Sequence, residues 1–373
     1  MQRLNLAPIS IFCKASWIAV NWLLLVFPMF VCAQQQPIVV LLSATEQVGH
    51  EANVQLIKGI KRHLPPEHWL QVVRLDDFNH FSTAWQAVLD LNPKLVIGPL
   101  HKEDVQKLIQ TAPKIPVIAL NQTSLSHPMV WQFSLTAEQP IYQLAIHLAE
   151  KDMSELLLLS VNSSQAMRLT QSFMAVHEAS IKERLIYQSS EQLLAALYTI
   201  TGYHKSRRRI QELEKLIQEP LVAMPWLRQD VEALVLFSSL ADAIEVSHQV
   251  DYAWGQSFSL YWVDTGANST SDYVRSLPNW GRMKSFMPFY QIEAMQQQRL
   301  KTDGFFTALG EDAIRLSLMR LSHAPRSKDS RLKGSLGYLH VDAQQRIQTH
   351  FPLVWLGDGQ VDVINDAMNE QSQ

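Results

Sequence analysis

Short apolar-rich runs alternate with longer amphipathic stretches along the chain from residue 37 onward. The runs lie at 38–42, 70–75, 95–97 and 117–120, and the stretches between them repeat apolar residues at helical spacing, as in Ala52, Leu56 and Ile60. A continuous apolar run is typical of a strand that is buried on both faces. The alternation therefore predicts a parallel α/β sheet with helices on both faces.

The same pattern begins again after about residue 136. Strand-like runs lie at 156–159, 184–187, 234–237 and 258–263, and the helix N-cap spacing occurs at Asn162 with Gln165. Two doubly wound units in succession predict two similar lobes that face each other across a cleft.

The C-terminal part is less regular. It contains a predicted helix at 302–321 and strand-like pieces around 334–341, 346–355 and 360–364, with a hairpin signal at Asp358-Gly359. We expect these strands to return to the second lobe. The predicted division is lobe one at 37–135 plus about 287–327, lobe two at 136–286 plus about 328–366, and a C-terminal tail at 367–373.

Residues 1–33 have the layout of a secretory signal, with a basic start, an apolar run and a small residue at Ala33. Cleavage after Ala33 is the first expectation. The alternative is lipidation of Cys32, although the residue before it, Val31, is larger than a lipoprotein signal normally has there. The expected location is the periplasm, with attachment to the outer membrane in the lipidated case. Because Cys13 and Cys32 lie at or before the cut, the mature chain has at most one thiol and no disulfide.

Composition excludes several classes of function. Of the 373 residues, 47% are hydrophobic and 18% are charged, which is typical of a soluble globular protein. Loss of Arg3 and Lys14 with the signal leaves 30 basic against 35 acidic residues. A mildly acidic chain without a basic stripe is a poor candidate for nucleic-acid binding.

A family resemblance rests on several stretches taken together. They are 38–42 with its following helix, 96–100, 117–121, 206–209, 228–233, 308–313 (ALGEDA), 334–337 (GSLG) and the strands around 358–360. The mature chain resembles the C-terminal, type I periplasmic-binding-protein-like domain of the LpoA family, the activators of class A penicillin-binding proteins. The resemblance implies a non-catalytic periplasmic regulator of peptidoglycan synthesis whose partner is such a synthase. The helical-repeat domain that precedes this domain in longer members is expected to be absent.

Polar residues at the carboxyl ends of the predicted strands are candidates for a ligand cleft, because open α/β sheets bind ligands at that edge. They are Ser43, Thr45, His101, Asn121, Thr123, Asn162, Ser163 and Ser238. The competing interpretation is that they only cap helices. A small polar ligand would make the chain a solute-binding receptor for an amino-acid-like molecule of an ABC transporter, which is the alternative function. That function needs charged anchors, and only Glu46 and Lys102 lie near these positions.

No local signature of catalysis or of a cofactor is present. His63 and His68 are the closest histidine pair, but they do not share a helical face, and Pro65-Pro66 separates them. The mature chain has no HExxH, Walker, GxSxG or dinucleotide-binding motif. We therefore predict neither an enzyme nor a metal or cofactor site.

A basic segment suggests a surface for a protein partner. Arg207, Arg208 and Arg209 open a predicted helix with Leu213, Leu216 and Ile217 on one face, and Trp226 follows. Arg and Trp are favoured anchors in interfaces, so Arg207, Arg208 and Trp226 are the candidate partner surface. The alternative, which the sequence favours, is that the Leu/Ile face packs on lobe two.

Overall fold

The computed structural model describes residues 36–133, 138–177, 180–223, 225, 228–254, 259–300, 303–322 and 331–364. The predicted signal, Cys32, Trp226 and the tail from 367 lie outside these residues. Among the described residues, no helix is long and apolar enough to span a membrane.

The described residues form fifteen strands and twelve α-helices, numbered here in chain order. The strands are β1 (Ile38–Leu42), β2 (Leu70–Arg74), β3 (Leu95–Ile97), β4 (Val117–Ala119), β5 (Val130–Phe133), β6 (Glu155–Val161), β7 (Ser180–Tyr187), β8 (Ala233–Ser238), β9 (Ser259–Asp264), β10 (Met283–Phe286), β11 (Leu332–Lys333), β12 (Tyr338–Val341), β13 (Arg346–His350), β14 (Leu353–Gly357) and β15 (Gln360–Val363). The helices are α1 (Thr45–Val48), α2 (His50–His63), α3 (Phe81–Asp90), α4 (Lys102–Gln110), α5 (Gln139–Glu150), α6 (Ser164–Val176), α7 (Ser190–Ile200), α8 (Tyr203–Ile217), α9 (Leu240–Trp254), α10 (Thr270–Ser276), α11 (Phe289–Gln296) and α12 (Phe305–Leu321).

These elements build two sheets, one for each lobe. The first has the order β11-β12-β13-β5-β4-β3-β1-β2, and the second has the order β15-β14-β10-β9-β8-β6-β7. The central strands of both are parallel, as the apolar runs predict, and antiparallel strands are added at one edge of each sheet. The predicted two-lobed α/β fold is confirmed. The Asp358-Gly359 hairpin is also confirmed, since β14 and β15 pair antiparallel across it.

The predicted division of the C-terminal part is wrong in two places. The sheet pairing puts β11, β12 and β13 in the first lobe, where β13 pairs with β5, although the sequence pattern places 328–366 in the second. Helix α11 packs into the core of the second lobe through Phe289, Ile292 and Met295, although the pattern places 287–327 in the first. The predicted strand at 346–355 breaks at Phe351-Pro352, because proline cannot donate to a ladder and the chain changes sheets there. The chain therefore passes between the lobes three times, after β5, after α11 and after β13.

The first lobe depends on a close crossing of α2 and α12. A Cβ atom built on Gly59 would lie 2.0 Å from the carbonyl oxygen of Thr307, and one on Gly310 would lie 2.3 Å from that of Leu56. Glycine at both positions allows the two helix backbones to meet. The apolar side chains around this crossing, among them Ile60 and Leu309, are fully buried.

Candidate functional site

Ser43, directly after β1, binds a loop rather than facing solvent. Its side chain is buried, and its Oγ accepts hydrogen bonds from the backbone N–H groups of Leu100 (3.1 Å) and His101 (2.8 Å). Asn121 holds the same loop from the other side by donating from Nδ2 to the carbonyl oxygen of Leu100 (3.0 Å). The structure thus brings Ser43, His101 and Asn121 together, and two of the three stabilise the loop that follows β3.

Thr45 is part of a separate cluster with Arg74 and Asp76. The backbone N–H of Thr45 donates to both carboxylate oxygens of Asp76 at 3.0 Å, and its hydroxyl donates to Oδ2 at 2.5 Å. Arg74 donates to the Thr45 hydroxyl at 2.9 Å. The hydrogen bond from Thr45 is the main cause of a lowered pKa at Asp76. Sequence reasoning missed Arg74 and Asp76, because they lie at and after the end of another strand, β2, and have no local spacing signal with Thr45.

Thr123 organises the turn that leads into β5. Its backbone N–H donates to the side-chain oxygen of Gln132 (2.9 Å), and its hydroxyl accepts from the N–H of Leu125 (3.2 Å). Gln132 is fully buried and also donates to the carbonyl oxygen of Leu125 (2.9 Å). This threonine is therefore committed to the fold of its own loop.

The second lobe uses its predicted cleft residues in the same way. Ser163 caps α6 by accepting from the N–H of Ala166 (3.1 Å), and Asn162 donates to the side chain of Gln188 (2.6 Å). Ser238 is fully buried and donates to the carbonyl oxygen of Ser239 (3.0 Å). Of the predicted cleft residues, Ser163 alone is shown to cap a helix with its side chain, and Asn162, the cap that the spacing predicts, bonds the segment after β7 instead.

Two carboxylates of the second lobe, the buried Asp242 and the partly buried Asp264, are also occupied. Asp242 accepts hydrogen bonds from the hydroxyls of Tyr187 (2.7 Å) and Ser190 (2.6 Å). Asp264 accepts from the N–H of Gly266 (2.8 Å) and from the hydroxyl of Tyr273. Burial raises the pKa of Asp264 above its usual range. These carboxylates serve the structure of the lobe.

His101 differs from the other predicted cleft residues. Its Nδ1 atom is buried and has no hydrogen-bond partner among the described residues. One ring nitrogen offers a single hydrogen bond, whereas an amino acid needs partners for both its carboxylate and its ammonium group. Apart from His101, the predicted cleft residues use their side chains in hydrogen bonds that stabilise loops and a helix end.

Replacing Ser43 with alanine is expected to lower the free energy of unfolding by about 1–3 kcal/mol, because two N–H groups lose their acceptor. Urea titration measures this effect. Ser163→Ala is the matched control and should cost about 1 kcal/mol, as for the loss of one helix cap. An unchanged stability of Ser43→Ala would contradict the bracing role.

The two C-terminal motifs of the sequence meet in a charged cluster between the lobes. Asp312 on α12 is fully buried and accepts from the backbone N–H groups of Ser335 (2.5 Å) and Leu336 (2.9 Å). Glu311 accepts from the Ser335 hydroxyl (2.5 Å), and Arg315 donates to Asp312 (3.1 Å). Burial raises the pKa of Asp312 to about 6 against these favourable contacts. The acidic pair thus fixes the loop at 334–337.

The same loop contacts the second lobe. The carbonyl oxygens of Ser335 and Leu336 accept from the N–H groups of Tyr290 (2.8 Å) and Phe289 (3.3 Å), at the start of α11. The ring of Phe289 packs edge-on against Tyr338, with centroids 5.1 Å apart. We call this arrangement, residues 311–312 with 334–337 and 289–290, the interlobe latch.

Helix α8 contains the predicted partner surface apart from Trp226. Arg207 and Arg208 are exposed, and none of the residues of α8 is buried. The exposed fraction of the side chain is 44% for Leu213, 79% for Leu216 and 46% for Ile217. The expectation that this face packs on lobe two is therefore wrong. The half-buried residues of the helix lie on a neighbouring face, at Tyr203, Ser206, Ile210 and Glu214.

Among the described residues, no group of three His, Cys, Asp or Glu side chains is placed to hold a metal ion. His63, one of the pair considered from the sequence, instead lies 3.1 Å from a guanidinium nitrogen of Arg315, beside the latch.

The fold defines the class of protein first: two α/β lobes with three crossings, the architecture of the periplasmic-binding-protein-like domains. The family follows from the sequence. The model of the LppC family, described as LppC putative lipoprotein, matches residues 72–358. This is most of the chain, and the chain belongs to that family.

The curated proteins that are similar in sequence share one name. The chain is 24% identical over 310 residues to "Penicillin-binding protein activator LpoA" of Vibrio antiquarius, which covers 75% of this chain and 50% of the relative. It is 26% identical over 305 residues to the protein of that name from Photobacterium profundum, with 74% and 48% covered. The chain thus spans about half the length of these relatives.

Solved structures share the fold. The LpoA (YraM) C-domain from Haemophilus influenzae, a regulator of PBP1A, matches with a TM-score of 0.57 at 15% identity, covering 88% of this chain and 99% of that one. A putative branched-chain amino acid ABC transporter protein from Chromobacterium violaceum matches with a TM-score of 0.56 at 17% identity, covering 85% and 99%. At these identities the likeness concerns the fold alone.

Proposed function

We propose that this protein is a non-catalytic regulator of peptidoglycan synthesis, which activates a class A penicillin-binding protein by direct contact. The observation that carries the proposal is the family: the chain belongs to the LppC family, and its curated relatives are named penicillin-binding protein activators. An activator of this kind needs a surface and no reaction centre, so the proposal includes neither a cofactor nor a nucleic acid.

The state of the cleft favours the regulator over a solute receptor. A receptor for an amino-acid-like solute would leave polar side chains available for the ligand. Here Ser43 and Thr45 are bonded to neighbouring loops, Thr123 is bonded within its own loop, and Asp264 is occupied within its lobe. The likeness to a transporter protein concerns the fold, which both classes share.

The proposed location is the periplasm, with the chain associated with the envelope. The description of the family as putative lipoproteins supports attachment through a lipidated Cys32, the alternative to cleavage after Ala33. A lipid at that position would hold the domain near the outer membrane.

The proposal predicts that the exported chain, residues 34–373, captures a class A penicillin-binding protein of its host in a pull-down. The captured synthase is then expected to crosslink peptidoglycan faster, because contact with the activator favours its active form. The measurements are the amount of captured synthase and the rate of crosslinking with and without the chain.

The control is a protein of the same fold, a branched-chain amino-acid receptor. It should neither capture the synthase nor change the rate of crosslinking. Absence of capture, together with a rise in melting temperature in the presence of free amino acids, would instead assign the chain to the solute receptors.

A further inference from the structure

One ridge of α8 joins cations to exposed apolar side chains. Lys205, Arg209, Leu213 and Ile217 are spaced four residues apart, so they lie in one row along the helix. Leu216 lies beside this row and is 79% exposed. The ridge is therefore basic at its N-terminal end and apolar at its C-terminal end.

The cations of this helix are not neutralised by the fold. Lys205, Arg207, Arg208 and Arg209 are exposed, and no ion pair joins any of them to a described residue. The chain has a formal net charge of −3, so four cations within five residues are a local feature against an acidic background. Such a segregated patch attracts an acidic partner and orients it.

The base of α8 is fixed to the second lobe. Tyr203 stacks on Tyr198 with ring centroids 4.6 Å apart. Arg228 lies under the preceding turn and pairs with Glu183 (2.5 Å) and Asp230 (2.8 Å). A ridge on a braced helix loses little conformational entropy when a partner binds.

We propose that this ridge of α8 docks an acidic protein surface, in which carboxylates meet Lys205 and Arg209 and an apolar groove takes Leu213, Leu216 and Ile217. The inference rests on the proposed function and names its contact surface: the partner is the synthase. Anionic lipid fits less well, because Glu212 and Glu214 lie in the apolar half of the helix. A membrane-surface helix typically has basic residues along its whole polar face and Trp or Phe on the other.

The test compares two pairs of charge reversals. Lys205→Glu with Arg209→Glu changes the ridge, whereas the flank pair, Arg184→Glu with Lys215→Glu, makes the same change of charge at exposed positions of the same lobe outside the ridge. The affinity for the purified synthase is measured at two salt concentrations. We expect the ridge pair to weaken binding at least about tenfold and the flank pair to weaken it less than about threefold.

The apolar half is tested by Leu213→Gln with Leu216→Gln, against Met167→Gln, an exposed apolar residue (44%) on α6 of the same lobe. We expect at least about a tenfold loss of affinity for the pair and none for the control. All these side chains are exposed, so melting curves should match that of the unchanged protein.

The outcomes separate the two proposals. Capture by the unchanged chain with no difference between ridge and control variants would overturn the docking ridge and leave the proposed function standing. Failure of the unchanged chain to capture any class A synthase defeats the proposed function itself. In that case, binding to phosphatidylglycerol vesicles that only the ridge variants lose would replace the protein partner with a lipid surface.

Discussion

Replacing Asp312 with alanine is expected to lower the free energy of unfolding by about 3–5 kcal/mol, the cost of breaking a buried charged network by removing one partner. The change leaves the N–H groups of Ser335 and Leu336 without an acceptor and leaves Arg315 without its carboxylate. Chemical denaturation followed by circular dichroism measures the loss.

Asp342→Ala is the matched control. Asp342 also accepts from two backbone N–H groups, those of Gln344 (2.9 Å) and Arg346 (2.8 Å), but it is only partly buried. Water replaces its hydrogen bonds, so a loss of about 1 kcal/mol is expected. Equal losses of unfolding free energy in the two variants would mean that the burial of Asp312 adds nothing to the strength of its hydrogen bonds.

Replacing Gly310 with alanine should destabilise the protein by about 3 kcal/mol or more, because the added methyl group meets the backbone of α2 rather than a side chain that can move. The sign of this stability change is informative. Alanine in a helix is normally more favourable than glycine by about 1 kcal/mol, so propensity alone predicts the opposite sign. The measurement is the midpoint of urea unfolding.

Gly49→Ala is the control that separates the steric clash expected at Gly310 from the cost of a strained backbone. Gly49 has a φ of +81°, which disfavours alanine, but an added Cβ would meet nothing within 4 Å. This variant should lose about 1–3 kcal/mol, as for a strained backbone without a clash. A stable Gly310→Ala variant would show that α2 and α12 can separate without cost.

The central strands of both sheets could be predicted because each is a continuous apolar run. The missed strands β5 and β10 contain buried or half-buried polar residues, such as Gln132 and Lys284, that interrupt the apolar signal. The lobe assignment of the C-terminal strands failed because a pattern of residues tells which faces are buried and not which sheet a strand joins.

The chemistry of the site was only partly readable from sequence. The local spacing predicts a helix cap at Asn162, whereas the structure has the cap one residue later, at Ser163. The partners of Ser43 lie 57 and 58 residues away, and those of Asp312 lie 23 and 24 residues away. No local pattern links such positions, so sequence reasoning offered Ser43 as a ligand-binding residue and left the latch as two unconnected motifs.

The pairing of β13 with β5 has a consequence for biosynthesis. The first sheet acquires its last interior strand from residues 346–350, more than 200 residues after β5 has been made. Helix α12, which fills the core of that lobe, is also made late. An emerging chain therefore has no complete first lobe to form until almost the whole polypeptide has left the ribosome.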